Sequence, residues 1–375
     1  MWQTLSNIYR LGIKELWSLW RDPAMLLLVI YTFTGSLYVA ATAAPESLHK
    51  ATIAVVDEDR SQLSARIIGA LYPPQFMPPA DIPLYEMDRV LDEGRYTFVL
   101  NIPPDFEKDA LAGLQPALQL NVDATRMSQA FTGNGYISQI ISGEVQDYLR
   151  GYRAETHLPA ELALRARFNP ALEHSWFGSL MELINAITMI SIILTGAALI
   201  REREHGTVEH LLVMPLGPAQ IMLSKVWSMG LVVMLMVWLS LQLIIQGALA
   251  VPIEGSLLLF MLCVALHLTA TTSMAIFMAT VARTMPQFGL LLILVLIPLQ
   301  LLSGGMTPRE SMPELIQTVM LAAPTTHFVK ASQAVLYRGA GIDVIWPQLL
   351  SLAFIAGLLF TLSLKRFRRT ISQMA

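Results

Sequence analysis

Six apolar runs, most of them about 20 residues long, constrain this chain more than any other feature. They fall at 24–44, 177–200, 226–250, 256–282, 288–302 and 345–364. A helix rises 1.5 Å per residue, so about 20 apolar residues cross the ~30 Å hydrocarbon layer of a bilayer. Of the 375 residues, 54% are hydrophobic and 14% charged, whereas soluble domains carry about 25% charged residues. The expectation is a polytopic α-helical membrane protein with six transmembrane helices. The fifth run is the shortest and contains Pro298, which predicts a kink or a broken helix.

Lysine and arginine give the orientation, because they accumulate in cytoplasmic loops. Segments 1–23, 201–225, Arg283 and the tail 365–375 hold eleven of them, and the short segments on the other face hold three. Both termini are therefore expected in the cytoplasm. The 45–176 insert is too long to count for this rule. A net charge of −3 argues against a nucleic-acid partner. The one cysteine, Cys263, lies inside an apolar run, and a single thiol builds neither a disulfide framework nor a Cys-based metal site.

Ahead of the first span, residues 3–21 read as an amphipathic helix. Gln3, Asn7, Arg10, Lys14, Ser18 and Arg21 make a polar stripe opposite Leu5, Ile8, Gly12, Leu16 and Trp20. With Trp2, Trp17 and Trp20 it suits the headgroup plane. Ala41-Thr42-Ala43 resembles a signal-peptide cleavage site, but the apolar run before it is long enough to span and serves as an anchor.

Residues 45–176 have the composition of an external domain. Strands are expected at 52–56, 96–102 and 117–122, and helices at 61–72, 86–94, after Pro103-Pro104, and at 125–152, where Gly133 and Gly135 weaken the early turns. Residues 73–83 form a Pro-rich break. Alternation of strands and helices predicts an α/β domain on a small, largely parallel sheet.

Motifs for chemistry are absent. The chain has no G-x-x-x-x-G-K-[ST] phosphate loop, no H-E-x-x-H and no G-x-S-x-G elbow, and its seven histidines are scattered. Leu302–Met306 resembles an ATPase signature but reads as a Gly-rich span end. No catalytic or metal-binding constellation is expected. Polar residues inside the spans are the remaining candidates for a pathway: Glu182, Asn185, Thr188 and Ser191 in the second, Gln242 and Gln246 in the third, His267 in the fourth. For the Gln, Thr and Ser side chains interhelical hydrogen bonding is the favoured reading. Glu182 and His267 stay open between bonding and function. Between the last two spans, 303–344 is too polar to cross. It predicts two short external helices, near 312–322 and 326–337, with Pro308, Met312, Pro313 and Pro324 at a gate that closes the top of a pathway.

Between the second and third spans lies REREHGTVEHLLVMPLGPAQIMLSK, residues 201–225. Gly206 breaks the preceding helix and Thr207 caps a short new one. Glu209 sits in its first turn, where a negative charge suits the helix dipole, and Pro215 stops it. Pro218 then opens a helix that runs into the third span. A small charged helix at a membrane surface suits docking.

Three stretches together resemble the membrane permeases of type-2 ABC exporters, within them the bacterial YhhJ/YbhS-like inner-membrane transport permeases. They are the E-x-E-x-G-T-x-E-x-L-L-x-x-P run from Glu202 to Pro215, the block from Ser303 to Pro324, and the α/β insert. The resemblance implies a coupling helix seated on a separate ATPase subunit through Glu202, Glu204, Gly206, Thr207, Glu209, Leu211, Leu212 and Pro215. It further implies a connecting helix at 1–23, a second permease copy or relative as dimer partner, and a periplasmic adaptor. This chain would bind no cofactor; ATP and magnesium would sit on the ATPase subunit.

The expected organisation is thus a connecting helix at 1–23, a span at 24–44, a periplasmic α/β domain at 45–176, and five spans across 177–364 with the docking loop 201–225. A basic tail follows at 365–375. The expected function is export of a hydrophobic or amphipathic substrate across a bacterial inner membrane. A membrane-anchored receptor using the α/β domain explains the insert but not five further spans. An intramembrane enzyme lacks any nucleophile–base or paired-carboxylate arrangement.

Overall fold

The computed structural model describes residues 2–42, 50–123, 125, 127–151, 168, 174–204, 216–282 and 284–372. Two units are distinguished: one made of Met1–Ala44 and Ala166–Ala375, the other of Pro45–Arg165. The segment 205–215, which carries Gly206, Thr207, Glu209, Leu211, Leu212 and Pro215, lies outside the described residues.

The first unit opens with α1 (Trp2–Trp20). Asp22 then caps α2 (Pro23–Tyr31), its side chain accepting the Met25 N–H at 3.1 Å, with Pro23 at the first helical position. A π-helical turn, Thr32–Ser36, connects α2 to α3 (Leu37–Thr42). Along α1, Gly12, Glu15 and Leu19 are buried, Ile8 and Leu16 half-buried, and Leu5 and Trp20 exposed.

In the second unit, β1 (Ile53–Asp57) is followed by α4 (Gln62–Ala70), with Ser61 and Ser64 forming a capping box. The Pro-rich break contains a short edge strand that the sequence reading overlooked, β2 (Ala80–Asp81). Next come α5 (Met87–Asp92), β3 (Phe98–Ile102), α6 (Phe106–Leu111), β4 (Gln119–Val122) and α7 (Met127–Arg150). Strand order is β2-β1-β3-β4, parallel except for the antiparallel β3–β4 pair.

Period-two alternation sends Ile53, Val55, Phe98 and Leu100 to one sheet face and Ala54, Val56 and Val99 to the other. Gly133 serves packing here: a Cβ at that position would stand 2.1 Å from the Phe98 ring. Glu107 ties three helices together. Its carboxylate accepts the Leu63 N–H of α4 at 3.1 Å and the Tyr148 hydroxyl of α7 at 2.6 Å.

Returning to the first unit, α8 (His174–Glu204) precedes α9 (Pro218–Leu239), which passes into a π-helical segment, Ser240–Ala248. The bundle continues with α10 (Leu257–Val281), α11 (Met285–Leu301), α12 (Glu314–Met320), α13 (Pro324–Leu336) and α14 (Ile342–Ser372). Among the described residues, five helical stretches are long and apolar enough to cross a membrane: Pro23–Thr42, Ser175–Glu204, Pro218–Ala248, Leu257–Val281 and Ile342–Thr370. The expected fifth span, α11, is an apolar helix of 17 residues, about 26 Å at 1.5 Å per residue. It is not broken at Pro298; the Leu302 N–H bonds the Pro298 carbonyl at 3.0 Å and closes its last turn.

The two π segments meet. The Ser240 hydroxyl lies 2.6 Å from the Phe33 carbonyl and 2.7 Å from that of Met236, so one side chain of the second π segment bonds the backbone of the first. The α13 helix buries Phe328, Val329, Ala331, Val335 and Leu336 in the core shared with α8 and α10.

Candidate functional site

Arg201-Glu202-Arg203-Glu204 ends α8, and each of the four side chains goes to a different neighbour. Arg201 pairs with Asp22, the residue that caps α2. Glu202 accepts from Lys14 of α1 at 2.7 Å and forms an ion pair with Lys225 of α9 at 2.8 Å. Arg203 donates to the Ala282 carbonyl at the C-terminus of α10 at 3.0 Å. Glu204 accepts the Met285 N–H that opens α11 at 3.0 Å. The signs suit the partners: a cation meets the carbonyl end of one helix and an anion the N–H end of another. One tetrapeptide thereby joins α1, α2, α9, α10 and α11 to the end of α8.

At the centre is a buried ion cluster. Lys225 is 1% exposed and its ammonium lies 2.9 Å from Glu15, itself 6% exposed. Lys14 stands 4.0 Å from Glu15, so two lysines and two glutamates share one space. Burial pushes the Glu15 carboxyl above its ordinary value against the pull of Lys225. Around the cluster α1 seats tightly on α9. A Cβ on Gly12 would stand 2.0 Å from the Trp227 ring, the Trp227 indole donates to the Ile8 carbonyl at 3.1 Å, and Tyr9 stacks on Trp227 at 5.9 Å.

The structure redistributes the residues that the sequence singled out. Glu202, expected at a docking surface, is held between Lys14 and Lys225 with its side chain 11% exposed. Glu204 is exposed and caps α11. Thr188 and His267 meet at 2.8 Å, and Ser191 donates to Thr271 at 2.7 Å. His267 is fully buried and stacks on Phe328 at 4.0 Å. These groups bond α8, α10 and α13 to one another.

Glu182 accepts the Ser36 hydroxyl at 2.6 Å, joining α8 to the first π turn. Asn185 and Gln242 are half-buried and Gln246 is exposed. Of the expected gate residues, Pro308 lines a cavity, Met312 is buried, Pro313 caps α12 and Pro324 opens α13. Glu15 escaped the sequence reading altogether. Its signal was Gly12, Glu15 and Leu19 at i, i+3 and i+7, combined with a lysine placed just before an apolar span.

Comparison with known proteins accords with this architecture. A family model described as "ABC-2 family transporter protein" matches residues 23–365. The chain is 61% identical over 371 residues to the inner membrane transport permease YhhJ of Escherichia coli (strain K12), covering 99% of each chain. It is 27% identical over 378 residues to the E. coli protein named "Probable multidrug ABC transporter permease YbhR", covering 97% of this chain and 99% of that one. To its counterpart YbhS the identity is 25% over 343 residues, covering 89% of each. A helical bundle of membrane-crossing length, matched across nearly its whole extent by that family model and by full-length permeases, belongs to the ABC-2 family of transporter proteins.

Proposed function

We propose that this chain is the membrane-spanning subunit of an ATP-driven exporter in a bacterial inner membrane. In this reading both termini are cytoplasmic and the α/β unit lies in the periplasm. A separate ATPase subunit docks on the 201–225 loop, and two permease chains pair. A hydrophobic or amphipathic substrate moves outward, in keeping with the word "multidrug" in the names of two relatives. A periplasmic adaptor is a further partner.

The observation that carries the reading is the tetrapeptide before the loop. Residues 201–204 tie the end of α8 to five other helices, so a push on 205–215 reaches most of the bundle through one short lever. ATP drives such a cycle only if the two bundle states differ in their affinity for the closed ATPase pair. The test is affinity purification of the tagged chain in mild detergent, with ATPase activity measured on the eluate. An ATPase subunit that co-purifies with the wild type and is lost from Glu209→Lys supports docking through this loop. An unchanged ATPase yield and unchanged transport in that variant would sink it.

A further inference from the structure

The end of α8 opposite the tetrapeptide holds a second charged site. Phe177 and Arg201 are 24 residues apart in one helix, about 36 Å, so the two sites stand at opposite ends of the bundle. There a cavity of about 420 Å³ opens between the Ser303–Glu310 turn and one face of α13. Thr326, Lys330 and Gln333 recur along that face at helical spacing. Arg309 and Arg338 complete the lining, and Glu310 is its one carboxylate, so three cations face one anion.

Two observations indicate that the cavity lacks its ligand's charge. Among the described residues, Lys330 and Arg338 form no ion pair, and the buried Arg309 Nε has no hydrogen-bond partner. Thr326 is 1% exposed, yet its hydroxyl, in the cavity wall, is also without a partner. A buried donor left without a partner is costly, so an acceptor entering the cavity would supply what these donors lack. Beside the cations, Phe177 and Met306 present a partly exposed apolar wall, which suits an acyl or other apolar tail.

We propose that this cavity binds an oxyanion: the phosphate-bearing head of an amphiphile, or free phosphate. The site is independent of ATPase docking and would stand even if that docking failed. Guanidinium and ammonium groups hold phosphate by charge-assisted bonds, and the Thr326 hydroxyl and Gln333 amide supply neutral donors.

The experiment is native mass spectrometry of the full-length protein, purified and delipidated in a neutral detergent. It is titrated with dihexanoyl phosphatidylglycerol, with the phosphate-free dihexanoylglycerol, and with inorganic phosphate. The phosphatidylglycerol should bind at least about tenfold tighter than dihexanoylglycerol, from charge-assisted contacts. Lys330→Gln/Arg338→Gln, at two exposed positions, should erase that preference. Thr326→Val, which keeps the side-chain shape, should weaken binding about fivefold, one hydrogen bond's worth, and carries the test if the double variant does not fold. Displacement of the lipid by equimolar inorganic phosphate assigns the site to the free ion; displacement only at large excess assigns it to a headgroup on a tail. Equal binding of the two lipids by the wild type, or full preference in the variants, overturns the proposal.

Discussion

Replacing Lys225 by methionine removes the charge at the centre of the ion cluster while nearly preserving volume. The ammonium lies 2.9 Å from Glu15 and 2.8 Å from Glu202, and its loss takes the cluster of two lysines and two glutamates from neutral to −1. Glu202 retains Lys14 at 2.7 Å, whereas Glu15 has that same lysine only at 4.0 Å, so Glu15 bears the deficit. Stranding a buried charge costs about 3–5 kcal/mol. Protonation offers Glu15 a way out, and its cost sets a ceiling. From an ordinary value of 4.5, neutralising a carboxyl takes about 3.4 kcal/mol at pH 7 and about 2 kcal/mol at pH 6.

Burial already raises Glu15, so the true figure lies below that ceiling. The sign follows from linkage. A carboxyl whose folded pKa exceeds its unfolded one binds more protons when folded, so the variant's deficit shrinks as pH falls. The assay is equilibrium unfolding in mixed micelles, read by tryptophan fluorescence with Trp227 stacked on Tyr9 as the local reporter. Lys225→Met should lose up to about 3.4 kcal/mol at pH 7 and clearly less at pH 6, and adding Glu15→Gln should restore all but about 1 kcal/mol. A loss below about 0.5 kcal/mol without pH dependence, or a double variant no better than the single, refutes the reasoning.

Three further substitutions test other contacts. Gly12→Leu drives a side chain into the Trp227 ring, an overpacking cost of about 1–3 kcal/mol; α1 should detach and trypsin should cut faster at Arg10 and Lys14. The Tyr148 hydroxyl and the Leu63 N–H hold Glu107 below the ordinary carboxylate value, so its contribution is present above that range and lost as pH falls. The protection of β3 amides in the full chain, corrected for the intrinsic exchange rate at each pH, should fall as the pH drops below the ordinary carboxylate range in the wild type and less steeply in Glu107→Gln. Thr188→Val removes the bond to His267, and micelle unfolding should register a loss near 0.6 kcal/mol, typical of interhelical hydrogen bonds in membranes; loss of transport with an intact fold would contradict a purely bonding role.

Apolar run length was the clearest text in this sequence, since bilayer thickness leaves few alternatives for a run such as 177–200 or 256–282. Helix ends were legible where a capping residue marks them, as at Ser61, Ser256 and Pro218. The π segments were not, because a turn widened by one residue leaves hydrophobic periodicity almost unchanged and depends on a distant donor such as Ser240. Strand β2 was hidden for a similar reason: two residues within a Pro-rich stretch become a strand only because β1 offers an edge. Sequence reading found the loop and its charges but sent Glu202 outward. Which way a carboxylate turns is decided by partners 188 residues before it, at Lys14, and across the loop, at Lys225.

The ion cluster brackets the segment assigned to docking. Glu202 precedes 205–215 and Lys225 follows it, and the two are paired at 2.8 Å with Glu15 of α1 held to the same lysine. Pulling the two ends of the loop apart would strand buried charge at about 3–5 kcal/mol, a cost that moving them together avoids. Under the proposed function, displacement of the loop therefore carries α1, the end of α8 and the start of α9 as one rigid body. The strain must then be absorbed where the backbone ladder is already irregular. Thr32–Ser36 and Ser240–Ala248 meet those terms: they lie farther along the chain on α2–α3 and α9, they touch through Ser240 and Phe33, and the first is tied to α8 through Ser36 and Glu182. A rigid ionic end and a softer π-helical middle give a push on the loop a defined place to become a change in the bundle.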